Sequence, residues 1–237
     1  MRKERKKTEV RPRRLPSKER EAMIVREAIH FFAREGFSAN TRDLAKHLGV
    51  TQSLIYQYFP TKDELIDRLY RELILDRWKP EWETWVGDRR VPLVDRLVRF
   101  YLAFTESIFN YETMRIFFFM WLMGDNPRER YLNKAHRRHF ARVCEEIRHD
   151  LDLPTGTEVA ISETELEMVA GMHGSIVYLG VRLFIFGAPR RMSNEAFIRQ
   201  QVRVFLRGCG EDVRSLVAAE RKAKPRATVA RTLVRAS

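Results

Sequence analysis

Between residues 41 and 60 the sequence TRDLAKHLGVTQSLIYQYFP meets the packing needs of a helix-turn-helix. Two short helices that cross closely need a small residue at the crossing, and Ala45 supplies it. A tight turn four positions later needs a residue tolerant of a left-handed backbone, and Gly49 is there. Leu44, Leu48, Val50 and Ile55 sit where they can pin the second helix onto the first, and Thr51 is a good N-cap for it. The chemistry this arrangement serves is docking of a helix in the DNA major groove, with its amino end toward the bases. An ordinary pair of short helices is the plain alternative, and it asks for none of these features together.

The wider stretch 24–65 resembles the TetR family of bacterial transcriptional regulators. The likeness is carried by IVREAIHFFAREGF (24–37), TRDLAKHLGV (41–50), TQSLIYQYF (51–59) and PTKDEL (60–65), about a fifth of the chain. It implies an all-helical homodimer with a three-helix DNA-binding unit, a linking helix that starts near Thr61, and a divergent helical regulatory domain. Gln52, Ser53 and Gln57 then fall on the early, solvent-facing side of the recognition helix, where amides and hydroxyls reach base edges. Tyr56 and Tyr58 match the family's aromatic pair, which faces phosphates or pyrimidine methyls. Thr41 and Arg42 open the preceding helix, a position suited to a phosphate. Lys62 looks like the family's phosphate-binding lysine. Where the family often has Lys or Arg followed by Gly or Ala, this chain has Gln52-Ser53, so the base preference stays open. For Tyr56 the plain alternative is interhelical packing, and for Arg42 a local acid.

The elements that must position these residues are helices throughout. From Ser17 onward apolar residues recur at three- and four-residue spacing. A first helix is expected over 17–35, with Ile24, Ala28, Phe31 and Phe32 on one face, widened by Val25 and Ile29, and Gly36 ending it. Short helices follow at 41–48 and 52–59. A fourth is opened by the capping pair Thr61 and Glu64 and runs toward Trp78, where Pro80 breaks or kinks it. Longer helices are expected over 92–110, 112–123, 128–151, 162–186 and 193–208, with Gly124-Asp125-Asn126-Pro127 as a turn and Ser162 with Glu165 as a second capping box. The fold class is therefore all-α with about nine helices. The domain reading is a basic arm (1–16), a DNA-binding domain (17–60), a regulatory and dimerisation domain (61–217) and a basic mobile tail (218–237).

The formal charge of the 237-residue chain is +12, which points to a polyanion. Most of it is terminal: residues 1–20 carry +7 and residues 211–237 carry +4, leaving +1 for the rest. Arg11, Arg13 and Arg14 suit a minor groove or a phosphate backbone. Two cysteines suit a reducing compartment, residues 1–20 lack the apolar run of a signal peptide, and no run approaches the roughly 20 apolar residues of a membrane span. A cytoplasmic protein is expected.

The second half is rich in aromatics and methionine. The resemblance implies a ligand cavity there, and Trp82, Phe104, Phe118, Trp121, His139 and Met172 are candidate lining residues for an apolar or aromatic effector, although core packing accounts for each of them too. Trp78, Trp82 and Trp85 form an i, i+4, i+7 series. His136, His139 and His173 suggest a metal site, which the cationic neighbours Arg137 and Arg138 oppose; no metal or cofactor is expected. Gly171, Gly174 and Gly180 in one helix suggest close helix approach, and the last two long helices are the implied dimer contact. No G-x-S-x-G, H-E-x-x-H, P-loop or dinucleotide motif is present, so no catalytic residue is expected. The partners implied are a double-stranded DNA operator, a second copy and a small effector, with no membrane. The competing reading is a constitutive DNA binder that acts through a protein partner.

Overall fold

In the computed structural model, which describes residues 16–122 and 127–223 (127–135 by backbone alone), the chain divides into two units, residues 1–69 and 70–237. The arginines of the arm, the Gly124-Asp125-Asn126 turn and residues 224–237 lie outside the described residues. Eleven α-helices and one 3-10 turn are found among the described residues, and no strand.

The first unit holds α1 (Ser17–Glu35), α2 (Thr41–Leu48), α3 (Gln52–Tyr58) and the start of α4 (Lys62–Leu73). All six apolar residues expected on one face of α1 are buried. The helix stops at Gly36, whose φ of 78° is open to glycine and not to a β-carbon residue, and Phe37 folds back onto Phe32 with ring centres 5.6 Å apart. Asn40 caps α2 by accepting a hydrogen bond from the Asp43 N–H at 2.9 Å. At Gly49 (φ 64°, ψ 33°) the chain turns left-handed, and Val50 N–H closes the turn on the Ala45 carbonyl at 3.0 Å. A β-carbon there would meet nothing within 4 Å, so the backbone angle, not crowding, calls for glycine. Leu44, Ala45, Ile55 and Phe59 are buried at the α2–α3 contact, while Leu48, Val50 and Leu54 are half-buried. Thr61 accepts the Glu64 N–H at 3.1 Å, giving the expected cap of α4.

The second unit runs through a 3-10 turn (Leu75–Arg77), α5 (Pro80–Val86), α6 (Leu93–Ile108), α7 (Tyr111–Leu122), α8 (Pro127–Asp150), α9 (Glu163–Phe184), α10 (Asn194–Gly208) and α11 (Gly210–Ala223). Two of these depart from the sequence reading. The fourth helix ends at Leu73, not near Trp78, because Pro80 does more than kink it: it takes the first position of a separate helix, where its missing N–H costs nothing. α11 carries the chain on in helix through Ala223, so residues 218–223 are ordered helix and not tail. The unit boundary falls at Leu69, inside α4, where the sequence reading placed it at residue 60. The capping box of α9, Ser162 with Glu165, forms in full.

α6, α8, α9 and α10 enclose one apolar core that includes Trp82, Phe100, Tyr101, Val143, Met172 and Val202. Two ion pairs are buried with it. Arg148 meets both oxygens of Glu165 at 2.7 Å and also donates to the carbonyls of Val159 (2.5 Å) and Ala160 (3.1 Å), tying the 151–162 connection to α8 and α9. Glu146, fully buried, takes Arg96 at 2.7 Å, Arg89 at 3.1 Å and Arg142 at 3.3 Å.

Candidate nucleic-acid interface and ligand cavity

α3 follows the Gly49 turn, and Thr51 caps it by accepting the Leu54 N–H at 3.3 Å. Its apolar side is held by Ile55, which is buried. The opposite side leaves Ser53, Tyr56 and Gln57 exposed and Gln52 and Tyr58 half-exposed. Arg42 is exposed at the start of α2 and has no acidic partner among the described residues, because the neighbouring Asp43 pairs with Lys46 at 3.3 Å.

Thr41 is placed differently from the sequence reading. Only 4% of it is exposed. Its hydroxyl accepts a hydrogen bond from Gln52 Nε2 at 2.8 Å and shares another with the Tyr56 hydroxyl at 2.9 Å. The side chain is spent within the unit: it orients two groups of α3, since the turn folds the amino end of α2 against the exposed side of α3. Lys62 also has an internal partner, donating to the Phe37 carbonyl, with its ammonium 5.8 Å from the Phe32 ring centre. An ammonium has three donors, so that bond leaves two for other acceptors. Tyr56 touches Thr41 while 40% of it stays exposed.

Residues 24–69 match the family model for bacterial regulatory proteins, tetR family. The N-terminal unit belongs to the tetR family. That match supports reading the chain as a DNA-binding regulator. Over most of its length the fold is similar to solved structures of transcriptional regulators. A TetR-like transcriptional regulator from Rhodococcus sp. RHA1 superposes with a TM-score of 0.59 at 15% identity, covering 82% of this chain and 100% of its own. A tetR-family transcriptional regulator from Streptomyces coelicolor gives 0.55 at 19% identity, covering 89% and 92%. At such identities the likeness establishes the fold alone.

The second unit holds a cavity of about 210 Å³. Trp82 and Phe104, both expected to line a pocket, line it together with Trp78, Phe117, Met114 and Val177. Phe118 and Trp121 line an adjoining, more open groove of about 730 Å³ between α7, α8 and α9. His139 and Met172 line neither. His139 is buried and stacks on Phe100 at 4.1 Å, with Glu83 Oε1 3.5 Å from its Nδ1. Met172 faces the core because its position on α9 points toward α6 and α10.

The polar residues of the cavity were not foreseen as its lining. Arg77 comes from the 3-10 turn, Ser107 from α6, Thr113 from α7, and His136 and His173 from α8 and α9. Burial, helped by His139, pushes the His136 imidazole down to about 4, and burial holds His173 well below its ordinary value. Both are neutral at pH 7. No cluster of His, Cys, Asp and Glu fit to hold a metal is found among the described residues. No helix of the described residues is long and apolar enough to cross a membrane.

Proposed function

We propose that this chain is a homodimeric, cytoplasmic repressor that binds a palindromic operator and is released from it by a small apolar or aromatic ligand. The observation that carries the reading is the side chain set of α3. Gln52 and Tyr56 are oriented by the buried Thr41 hydroxyl, and Ser53 and Gln57 are exposed beside them on the first turns of the helix. Two donors and acceptors held at fixed positions on a helix face are what base-edge reading in a major groove requires. Arg42 and Lys62 supply the phosphate contacts that set the register, and the basic residues 1–14 add sequence-independent attraction.

Dimerisation through α9 and α10 is supported by what they leave uncovered. A stripe of α9 exposes Gly171, Gly174 and Tyr178, and a β-carbon on either glycine would meet nothing within 4 Å, so the small residues leave room there for another helix. Val204 on α10 is exposed as well. Gly180 serves the chain itself: a β-carbon there would come within 2.7 Å of Phe109. Two copies related by a two-fold axis read an inverted repeat, and a ligand that favours one spacing of the readers shifts the population away from DNA. The apolar cavity supports the effector part of the reading.

The test is selection on random duplex DNA, with footprinting of the enriched sequence. An inverted repeat bound by two copies is the expected result. Failure to enrich any sequence, or protection of a lone half-site by a monomer, would overturn it.

A further inference from the structure

The cavity lined by Trp82 and Phe104 is one-sided in its polar chemistry. Among its described lining residues there is no aspartate or glutamate, and the one fixed charge is Arg77. That guanidinium is held by backbone alone: Nη1 donates to the Ser107 carbonyl at 2.5 Å and Nε reaches the Glu72 carbonyl at 3.5 Å. It has no carboxylate partner among the described residues.

Three further polar atoms of the lining are buried without a hydrogen-bond partner, namely Trp82 Nε1, Thr113 Oγ1 and His173 Nδ1. Trp82 is 2% exposed and Thr113 1%, so water does not meet these needs from bulk solvent. An indole N–H and a guanidinium can only donate, and a hydroxyl can do so. Buried donors left unmet are costly, and a ligand that brings acceptors removes that cost. A cationic ligand would find no counter-charge and would face Arg77. The rest of the wall is aromatic and aliphatic.

Resting on the effector reading above, we propose that the cavity takes a small apolar acid, its hydrocarbon or aromatic body against Trp78, Trp82, Phe104 and Phe117 and its carboxylate on Arg77. A charge-assisted bond to a guanidinium is stronger than one between neutral groups, so the acid head sets both affinity and orientation. Thr113 and the Trp82 indole supply the remaining donors. Arg77 closely follows α4 in the chain, so the residue that receives the acid is joined directly to the helix leading out of the DNA-binding unit.

The test uses the full chain and three probes with one body: 3-phenylpropionate, 3-phenylpropanamide and 3-phenylpropylamine. Binding is read by tryptophan fluorescence and by thermal shift. The acid is expected to bind at least tenfold more tightly than the amide, and the amine not at all. Arg77→Gln should lower affinity for the acid by tenfold or more and leave the amide within a factor of two, while Arg77→Lys restores part of the loss. Thr113→Val, which leaves Arg77 untouched, should weaken the acid by a smaller factor. Amide or amine binding as tightly as the acid, or an acid affinity unchanged in Arg77→Gln, would overturn the acid assignment and leave the effector site standing. Absence of binding by all three probes up to millimolar concentration would overturn both.

Discussion

α3 and the cavity of the second unit are built on opposite plans. The residues of α3 and those that orient them lie within 22 positions of one another, Thr41 to Lys62, and are held by a capped turn, a left-handed glycine and one buried hydroxyl. The cavity draws Arg77, Trp82, Phe104, Thr113, His136 and His173 from six different elements, and its wall stands only because the whole unit packs. Charge follows the same division. The exposed pairs of the first unit, such as Lys46 with Asp43, are solvated and contribute little, whereas the second unit buries Arg148 with Glu165 and Arg96 with Glu146 at its centre. A local plan makes a helix pair whose geometry depends on few residues. A distributed plan makes a site sensitive to any change in packing around it.

The sharpest way to break that contrast is at the buried pair. Arg148→Met leaves the Glu165 carboxylate buried without its partner and should cost the regulatory unit about 3–5 kcal/mol, measured by denaturant unfolding. A loss under 1 kcal/mol would mean the unit does not lean on distant charges. The same pair sets an acid limit. Burial alone would raise the Glu165 carboxyl, but hydrogen bonds from Arg148 and Ser162 outweigh it and hold the group below its ordinary 4.5. Its contribution to stability is therefore fully present above pH 4.5 and is lost as the pH falls through the lower folded value. In Arg148→Met the unfolding free energy should lose that acid-side slope.

On the reading side, Gln52→Ala should weaken operator binding by about 1–3 kcal/mol and relax the preference at one base pair, seen by titration on operator variants. Unchanged affinity and preference would remove Gln52 from the reading set. Gly49→Ala forces a β-carbon into the left-handed region and should cost the first unit about 1–2 kcal/mol, read as a lower melting temperature. The smallest expected effect is the most specific. If Thr41 acts through Gln52, a double-mutant cycle of Thr41→Val and Gln52→Ala on DNA affinity should show a coupling of about 0.5–1.5 kcal/mol; additive losses would make Thr41 an independent contributor.

Legibility in the sequence follows the same line. The α1 face, the Gly49 turn, the Thr51 and Ser162 caps and the α3 side chain set could be read directly, because helix period, capping and glycine geometry act over a few residues. α5 is hidden because seven residues carry weak periodicity and Pro80 is as consistent with a break as with a new start, and α11 because its charged, core-poor end reads as tail. Trp82 and Phe104 reached the cavity, but Met172 and His139, with the same apolar or aromatic signal, went into the core. Arg77 gave no sign at all, since an arginine in the charged stretch Asp76–Lys79 is a surface residue in most settings.

The amino-acid sequence by itself determined an all-helical fold, its helix-turn-helix and the side chains that α3 presents, since each depends on neighbours within one or two turns. Tertiary structure alone decided that Thr41 turns inward, that Arg148 and Glu146 are buried charges, and which aromatics line a space and which fill one. The first depends on how α2 folds onto α3, the others on how helices remote in sequence pack together, and all on where a buried polar group finds its partner.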